Sequence, residues 1–472
     1  MLLMWDAMGY NAGIRYDKHT GQLIGFAEDF EFGLCVQNFS NKVNVLSVIS
    51  PQQEIKINFP VCHHHVNVLN STQIYEQVMT VVEDLYNLSA VRIVGLICDG
   101  ASEHTKFFRI VLHGPASESP TRSVYMGHPC DPSVKIFSIS DVPHLIKKGR
   151  GSLFKSGENG WSTRRMLYGT AGDTIHDGSL LTWDPLVWLH EERNKRNESG
   201  QLRRKYYFCC SFYYILIYFH TLHTVLRLVR KLRDENLYPT SLELLRVYLA
   251  ATVFSDEVQD LLDQYKDDVS RALNIRNLDP LSVYLSHFWE LLQLNNSEKP
   301  ITWSAEVGLD DVVKGTGKFN LKWISSQYGV NISHLETITG IERNMNIPDG
   351  VTVRFNRPQR WIEISKWFSN WENWIKSLPE MTRGQKSKMF ITHQLHGDLQ
   401  RTCHSMYDII HEYVEGDINR RWVPKRFSQD PLESFFSEIR QSGGGNADGC
   451  REHIDSCVHN RRWRQMRKNN LI

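Results

Sequence analysis

Four acidic residues stand at places in the chain where their side chains could bind metal ions. Asp6, Asp99 and Asp141 each lie at or just past the end of an apolar run that is typical of a buried strand. Glu433 lies in the first turn of a predicted amphipathic helix, whose apolar stripe consists of Leu432, Phe435, Phe436 and Ile439. Carboxylate oxygens are the ligands that Mg²⁺ prefers, and two such ions about 3.5–4 Å apart catalyse phosphoryl transfer. The residue types therefore indicate metal-dependent chemistry on a phosphodiester.

The same side chains also have structural interpretations that need no metal. Asp430 and Glu433 fit a capping box, in which the two side chains bond to free backbone N–H groups at the start of the helix, and on local evidence this is the simpler interpretation. Asp141 fits a metal ligand and the N-cap of the following helix equally well. His144 and Lys147, one turn apart on that helix, could face either phosphate or solvent.

The elements that would position these acids alternate between strand and helix. The order predicted is that of an RNase H-like domain, with helix-crossed strands after an initial antiparallel run. In an open α/β sheet, ligands bind at the carboxyl ends of the strands, which is where three of the acids lie. The predicted strands are 1–5, a pair within 14–26, 43–50, 91–98 and 134–139, and the predicted helices are 71–88, 103–112 and one that opens at 142.

Helical patterns dominate the middle of the chain, and a basic tail follows the helix of Glu433. The longest amphipathic stretch covers 241–265, and others cover 281–294 and 361–375. The predicted fold class is therefore α/β, an RNase H-like mixed sheet flanked by helices and interrupted by a large, mostly α-helical insertion domain. The predicted domains are the first part of the RNase H-like domain at 1–155, the insertion at 156–425 and the second part at 426–472.

Composition and charge limit the class of protein. The hydrophobic fraction of 41% and the aromatic fraction of 11% are typical of a folded globular chain. A net charge of +1 supports nucleic-acid binding only if the basic residues are clustered. Nine cysteines without a C-x-x-C pair, and no signal peptide, indicate a reducing intracellular compartment. The longest apolar run, 206–219, is shorter than the ~20 residues of a membrane helix, so a buried element and no membrane are expected.

Three weaker patterns have plain structural interpretations. Consecutive histidines on a strand point to opposite faces, so those within 62–65 (CHHH) cannot all bind one ion, and an exposed strand or loop is expected. Cys450, His453 and Cys457 share one face of a predicted helix, but zinc ligands are normally divided between two elements. The basic residues within 461–468 fit a nucleic-acid backbone, a nuclear import signal or a solvated terminal helix.

Several blocks of the sequence resemble P-element-type transposases, including the animal transposase-derived proteins that carry a THAP zinc finger. The most specific blocks are 141–147 (DVPHLIK) and 429–436 (QDPLESFF), and others begin at Leu3 (LMWDAM) and Leu96 (LICD). The resemblance implies a D-D-E set of catalytic residues at Asp6, Asp99 and Glu433, which would hold two Mg²⁺ or Mn²⁺ ions. It also implies an insertion that binds GTP as a cofactor, and Asp430 matches a position associated with that nucleotide.

The implied function is metal-dependent DNA cleavage and strand transfer by a nuclear protein. Its expected partners are DNA, a guanine nucleotide and, in a homo-oligomer, further copies of the chain. Two departures favour an alternative, a domesticated and non-catalytic module that binds DNA or protein. Ala7 stands where the family usually has Glu, and the zinc finger and dimerising coil of the family are not found ahead of Met1. A guanine-nucleotide-binding regulator is a third hypothesis.

Overall fold

The computed structural model describes residues 1–10, 15–17, 22–24, 40–113, 124–157, 163–198, 232–379, 381–442 and 451–468. The apolar run 206–219 and Cys450, both singled out in the sequence, lie outside these ranges. Within them, no helix has the length and apolar character needed to cross a bilayer.

A six-stranded mixed sheet forms the first part of the fold. In chain order the strands of this region are β1 (Leu2–Gly9), β2 (Arg15–Asp17), β3 (Gln22–Ile24), β4 (Lys42–Ile49), β5 (Asn58–Val66), β6 (Gly95–Cys98), β7 (Tyr125–His128) and β8 (Asp131–Ser140). The hairpin of β2 and β3 stands apart, and the other strands join in the order β5-β4-β1-β6-β8-β7. Strands β1, β6 and β8 are parallel, and the remaining neighbours are antiparallel. This arrangement confirms the predicted RNase H-like mixed sheet.

Helices cover both faces of the sheet. They are α1 (Ser71–Ser89), α2 (Ser102–His113) and α3 (Val142–Phe154). Side chains of β1 alternate between two cores, because successive residues of a strand point to opposite faces. Leu3 and Trp5 pack with α1 and α2, whereas Leu2 and Met4 pack in the larger core that contains α3. Asp6 follows Leu2 and Met4 in this alternation and therefore lies on the face of the sheet that packs against α3.

Helices predominate between α3 and the end of the described chain. Their bounds are α4 (Asp184–Glu198), α5 (Asp234–Leu237), α6 (Val247–Phe254), α7 (Asp256–Gln264), α8 (Lys266–Leu273), α9 (Asp279–Asn296), α10 (Leu321–Tyr328), α11 (Ile332–Thr339), α12 (Arg357–Ser377), α13 (Arg383–Lys388), α14 (His393–Tyr413), α15 (Asp430–Ser442) and α16 (Arg451–Lys468). The short strands are β9 (Met166–Tyr168), β10 (Ser179–Leu181), β11 (Ile301–Thr302), β12 (Asp311–Lys314), β13 (Thr352–Phe355) and β14 (Arg421–Trp422).

The predicted helices at 281–294 and 361–375 are confirmed as α9 and α12. The amphipathic stretch 241–265 is divided into a short 3₁₀ turn, α6 and α7. The break falls at Ser255, whose backbone is extended (φ −59°, ψ 152°), and two acidic residues then begin α7 in the manner of a helix start.

Helix α14 lies on the sheet, although the sequence falls within the predicted insertion. The Ser140 amide donates to Thr402 Oγ1 at 3.0 Å, and Ser405 Oγ donates to the Ser138 carbonyl at 2.6 Å. Both contacts run between α14 and β8, so this helix belongs with the sheet. The predicted domain boundaries of 155 and 425 stay predictions, with a helical body between α3 and α14.

Candidate metal site

The register of the parallel strands aligns three of the acids. Met4 pairs with Ile97, so two further residues along both strands bring Asp6 beside Asp99. Cys98 pairs with Ser140, so the next residues are Asp99 and Asp141. The three carboxylates therefore form a row across the carboxyl ends of β1, β6 and β8, on the face of the sheet that α3 covers.

Asp6 is largely enclosed, and no basic side chain in the described ranges forms a hydrogen bond or ion pair with it. Its Oδ1 accepts a hydrogen bond from the Ala7 amide at 2.8 Å. Burial, followed by the negative charge of Asp99, raises the pKa of Asp6 to about 6. The positive charges of His144 and His104 act to lower this pKa, but burial and Asp99 outweigh them.

Asp99 is in the opposite electrostatic situation. His104 on α2 places its Nδ1 2.5 Å from Asp99 Oδ1, and the Ala101 amide donates to the same oxygen at 2.8 Å. Burial acts to raise the pKa of Asp99, but the hydrogen bond and charge of His104 outweigh it and hold the pKa well below its usual range. Asp99 is therefore ionised at neutral pH. His104 was not predicted as a functional residue, although it lies five residues after Asp99 at the start of α2.

The backbone after Asp99 is fixed by groups from two helices. Lys148 Nζ on α3 and Gln394 Nε2 on α14 both donate to the Gly100 carbonyl, at 2.5 and 2.7 Å. Gly100 has φ +66°, and a Cβ at this position would lie 2.8 Å from Asp398 Oδ2. Glycine is required here because both the backbone conformation and the space exclude a side chain.

Asp141 connects the row of acids to the helix of Glu433. Its Oδ2 lies 2.8 Å from His144 Nδ1, and its Oδ1 accepts from the Gln429 amide at 2.9 Å. Asp141 occupies the N-cap position of α3, but the side chain makes no capping bond. The N-cap interpretation is therefore wrong for the side chain. Its fully buried carboxyl instead bonds to residues on both sides.

Gln429 is the second link between the sheet and α15. Its Nε2 donates to the Trp5 carbonyl at 2.5 Å, and the whole side chain is buried. Its carbonyl accepts from the Leu432 and Glu433 amides at the first turn of α15. The N-cap predicted at Asp430 therefore lies one residue earlier, because the cap carbonyl belongs to Gln429 and Asp430 is the first helical residue.

Glu433 points toward the acids and makes no hydrogen bond back to its own helix start among the contacts described. Its Oε1 lies 4.0 Å from His144 Nε2, and its side chain is 43% exposed. The capping-box interpretation of Glu433 is thus wrong. His144 stands between Glu433 and Asp141, with one ring nitrogen toward each.

Two basic side chains of α3, His144 and Lys147, lie in the electrostatic field of the acids. Burial lowers the pKa of Lys147, against the attraction of Glu433, Asp141, Asp99 and Asp6. Burial likewise acts to lower the pKa of His144, but its hydrogen bond to Asp141 and the negative charges around it raise the pKa overall. Asp6, Asp99 and Glu433 therefore surround one pair of cationic groups.

The donor set suits a hard divalent cation. Three carboxylates offer only oxygen ligands, and the negative charges of Asp6 and Asp99 lie side by side. The ligand oxygens of Asp6, Asp99 and Glu433 are not all within 4.8 Å of one another, whereas His63, His65 and Asp455 meet that distance within the described chain. Binding of shared ions would require Glu433, whose side chain is 43% exposed, to change its position.

Comparisons with known proteins agree with this architecture. The model described as TNP-like, RNase H N-terminal domain matches residues 1–111, and TNP-like, RNase H C-terminal domain matches residues 425–448. The two matched segments contain Asp6, Asp99 and Glu433. The Drosophila P element transposase strand transfer complex has a similar fold, with a TM-score of 0.55, 15% identity, and coverage of 97% of this chain and 75% of that one. No curated protein matches the sequence.

The two matched segments resemble the RNase H-like domain of TNP-like proteins, and the fold of the chain is similar to that of the P element transposase.

The basic tail of the chain is partly used in its own packing. Arg461 lies over the Phe435 ring at 4.8 Å and 3.1 Å from Glu438, both on α15. Arg462 donates to the Pro60 and Val61 carbonyls of β5, at 2.7 and 2.6 Å. Of the basic cluster predicted at 461–468, Arg464 and Arg467 remain exposed, so the two arginines nearest its start are structural.

Proposed function

We propose that this protein is a transposase core that cleaves DNA phosphodiesters and transfers strands in a metal-dependent reaction. The observation that supports the proposal is Asp6, an enclosed carboxylate beside Asp99 with a pKa raised to about 6. A protein that only binds a partner and needs no ionised side chain at position 6 would be more stable with a neutral residue at that position. Perturbed carboxylates at the carboxyl edge of a sheet are typical of catalytic sites.

In this proposal Asp6, Asp99 and Glu433 would hold two Mg²⁺ or Mn²⁺ ions. The chemistry that bound ions supply is activation of water or a DNA 3′-hydroxyl for in-line attack, and stabilisation of the leaving oxygen. Asp99 is kept ionised by His104, and Asp6 must release its proton before it can serve as a ligand. Lys147 lies in the field of the same acids and would offer its ammonium group to a DNA phosphate.

Metal-dependent nicking of supercoiled plasmid, and joining of an oligonucleotide 3′-end to it, test this proposal. The parent chain should be active with Mn²⁺ or Mg²⁺ and inactive with EDTA or Ca²⁺. Asp6→Ala and Glu433→Gln should abolish both reactions. The matched control is Glu438→Gln, on the same helix but facing Arg461. Equal activity of Glu433→Gln and the parent would refute the assignment.

The alternative is a non-catalytic, domesticated module that binds DNA or protein. It is favoured by Ala7 in place of the family's Glu, and by the wider spacing of the three carboxylates noted above. Absence of nicking by the parent, together with unchanged DNA binding by Asp99→Ala, would establish this alternative instead.

A guanine-nucleotide cofactor, a homo-oligomer and a nuclear location belong to the same proposal. Asp430 is exposed at the first position of α15, one turn from Glu433, where a bound nucleotide would lie beside the catalytic helix. Calorimetry with a non-hydrolysable GTP analogue tests this site. Asp430→Asn should weaken binding if the residue contacts the nucleotide, and no heat with the parent chain would remove the cofactor from the proposal.

A further inference from the structure

A second cluster of metal-binding side chains lies away from the row of acids. His63 and His65 are two residues apart on β5, so they point to the same face of the strand, and Asp455 approaches them from α16. His63 Nε2 lies 2.7 Å from Asp455 Oδ1, and His65 Nε2 lies 3.0 Å from the same oxygen. The sequence argument that adjacent histidines diverge is correct, but it overlooked the alternate pair.

Residues 62–65 were predicted to be exposed, and this prediction is wrong for His65. His65 is fully buried, whereas His63 is partly exposed. Cys62 and His64 occupy the opposite face, where Cys62 Sγ lies 3.1 Å from His64 Nε2. The strand thus offers two imidazoles to Asp455 and keeps the other two side chains away from it.

The spacing of the three ligand atoms is close to that of a tetrahedral zinc site. With zinc–ligand distances of about 2.0–2.1 Å, neighbouring ligand atoms are about 3.3 Å apart. Separations of 2.7 and 3.0 Å therefore need to open by only a few tenths of an ångström. Zinc sites with three protein ligands take water as the fourth, and the side chain of Asp455 is 41% exposed to solvent.

The surroundings of His65 support a ligand role. Tyr10 Oη lies 2.9 Å from His65 Nδ1 and also bonds to Ser40, within the buried interior. A polar partner on Nδ1 fixes the imidazole orientation and leaves Nε2 directed at Asp455, as in many zinc sites.

We propose that His63, His65 and Asp455 bind one Zn²⁺ ion that fastens α16 to the edge strand β5. Arg462 already joins the same two elements, and Arg461 joins α16 to α15 through the Pro431 carbonyl and Phe435. A metal at this position would therefore secure the helix that supports α15. The site is independent of the proposed DNA chemistry.

Zinc titration of the full chain against a chromophoric chelator, after EDTA treatment, tests the site. The parent should bind one equivalent that His63→Gln and Asp455→Asn each weaken by at least roughly a hundredfold, and that Tyr10→Phe weakens by roughly tenfold or more. The matched control is His64→Gln, on the other face of β5, which should bind as the parent does. Glu433→Gln should also retain this equivalent, which separates the site from the proposed catalytic ions.

Cobalt substitution provides a second readout on variants whose circular dichroism matches the parent. The Co²⁺ complex should show visible tetrahedral bands without thiolate charge transfer, and these bands should be lost in His63→Gln but kept in His64→Gln. Zinc binding that is unchanged in both His63→Gln and Asp455→Asn would overturn the proposal. Thiolate charge transfer, or no binding of micromolar zinc by the parent, would overturn it as well.

Discussion

Replacement of Asp6 by Asn should stabilise the metal-free protein. The carboxyl is enclosed beside Asp99, and burial with this neighbouring charge raises its pKa from 3.8 to about 6. An Asn side chain keeps an oxygen that can accept from the Ala7 amide, so the substitution removes the charge and preserves the hydrogen bond. The stability of the fold should therefore increase when Asp6 is neutralised.

The size of the effect follows from the pKa difference. One pKa unit corresponds to about 1.36 kcal/mol, so ionised Asp6 destabilises the folded state by about 3 kcal/mol. The folded pKa of Asp6 is higher than the unfolded value of 3.8. The contribution of protonated Asp6 to the stability of the fold is therefore fully present below pH 3.8, and it is lost as the pH rises through about 6. Asp6→Asn should thus gain about 3 kcal/mol at pH 8 and only about 0.5 kcal/mol at pH 4.

Thermal and urea unfolding of parent and variant, in EDTA at both pH values, measure this difference. Mg²⁺ should reduce the advantage of Asp6→Asn at pH 8 by about half. At about ten times its dissociation constant, a bound ion stabilises the parent by about 1.4 kcal/mol and leaves the variant unchanged.

The same substitution at Asp99 provides the matched control. The ion pair with His104 lowers the pKa of Asp99, so its contribution to stability is present above the unfolded pKa and is lost as the pH falls through the folded one. Asp99→Asn should destabilise the protein at pH 8, opposite in sign to Asp6→Asn. If both variants were destabilised, or if the gain of Asp6→Asn did not depend on pH, the electrostatic argument for Asp6 would be refuted.

Three other substitutions test separate parts of the structure. Glu433→Gln should change the free energy of unfolding by less than about 0.5 kcal/mol, because the side chain is half-exposed, and calorimetric Mn²⁺ titration should show weaker binding. Gly100→Ala should lower stability by at least about 1–2 kcal/mol, measured by urea unfolding, because φ is +66° and Asp398 blocks the Cβ. Glu290→Ala should destabilise by about 3–5 kcal/mol, since it leaves Arg360 without its buried, bidentate partner; a loss below about 1 kcal/mol would contradict this.

Local patterns were sufficient to predict most elements of the sheet domain. Residues 43–50 and 71–88 contain the apolar spacing of β4 and α1, and the structure places both within one residue of these bounds. β5 was less clear because its sequence, NFPVCHHHV, has no regular alternation, and its buried polar residue His65 is satisfied by Tyr10, which follows β1. The sequence of α14 was assigned to the insertion, whereas the helix packs on β8 of the sheet. An amphipathic pattern predicts a helix with one apolar face, but it does not predict which part of the protein that face contacts.

The contacts that arrange the candidate site could not be read from the sequence. Gln429 meets Asp141 across 288 residues and Trp5 across 424 residues of chain. His104 lies close to Asp99 in sequence, but a histidine at the start of a helix has no pattern that marks it as the partner of a carboxylate. Such pairings depend on the register of β1, β6 and β8, which is set by tertiary packing.

Asp141 shows how a strand-end acid can organise a site through its hydrogen bonds. Its two carboxyl oxygens are used by His144 and by the backbone of Gln429, so the residue fixes the start of α15 against the row of acids. Gln429 also bonds to Trp5, directly before Asp6, and therefore ties the strand of one acid to the helix of another. Glu433 lies one turn further along this anchored helix. Asp6 and Glu433 are far apart in the chain, but the buried hydrogen bonds of Gln429 to Asp141 and to Trp5 fix the position of one relative to the other.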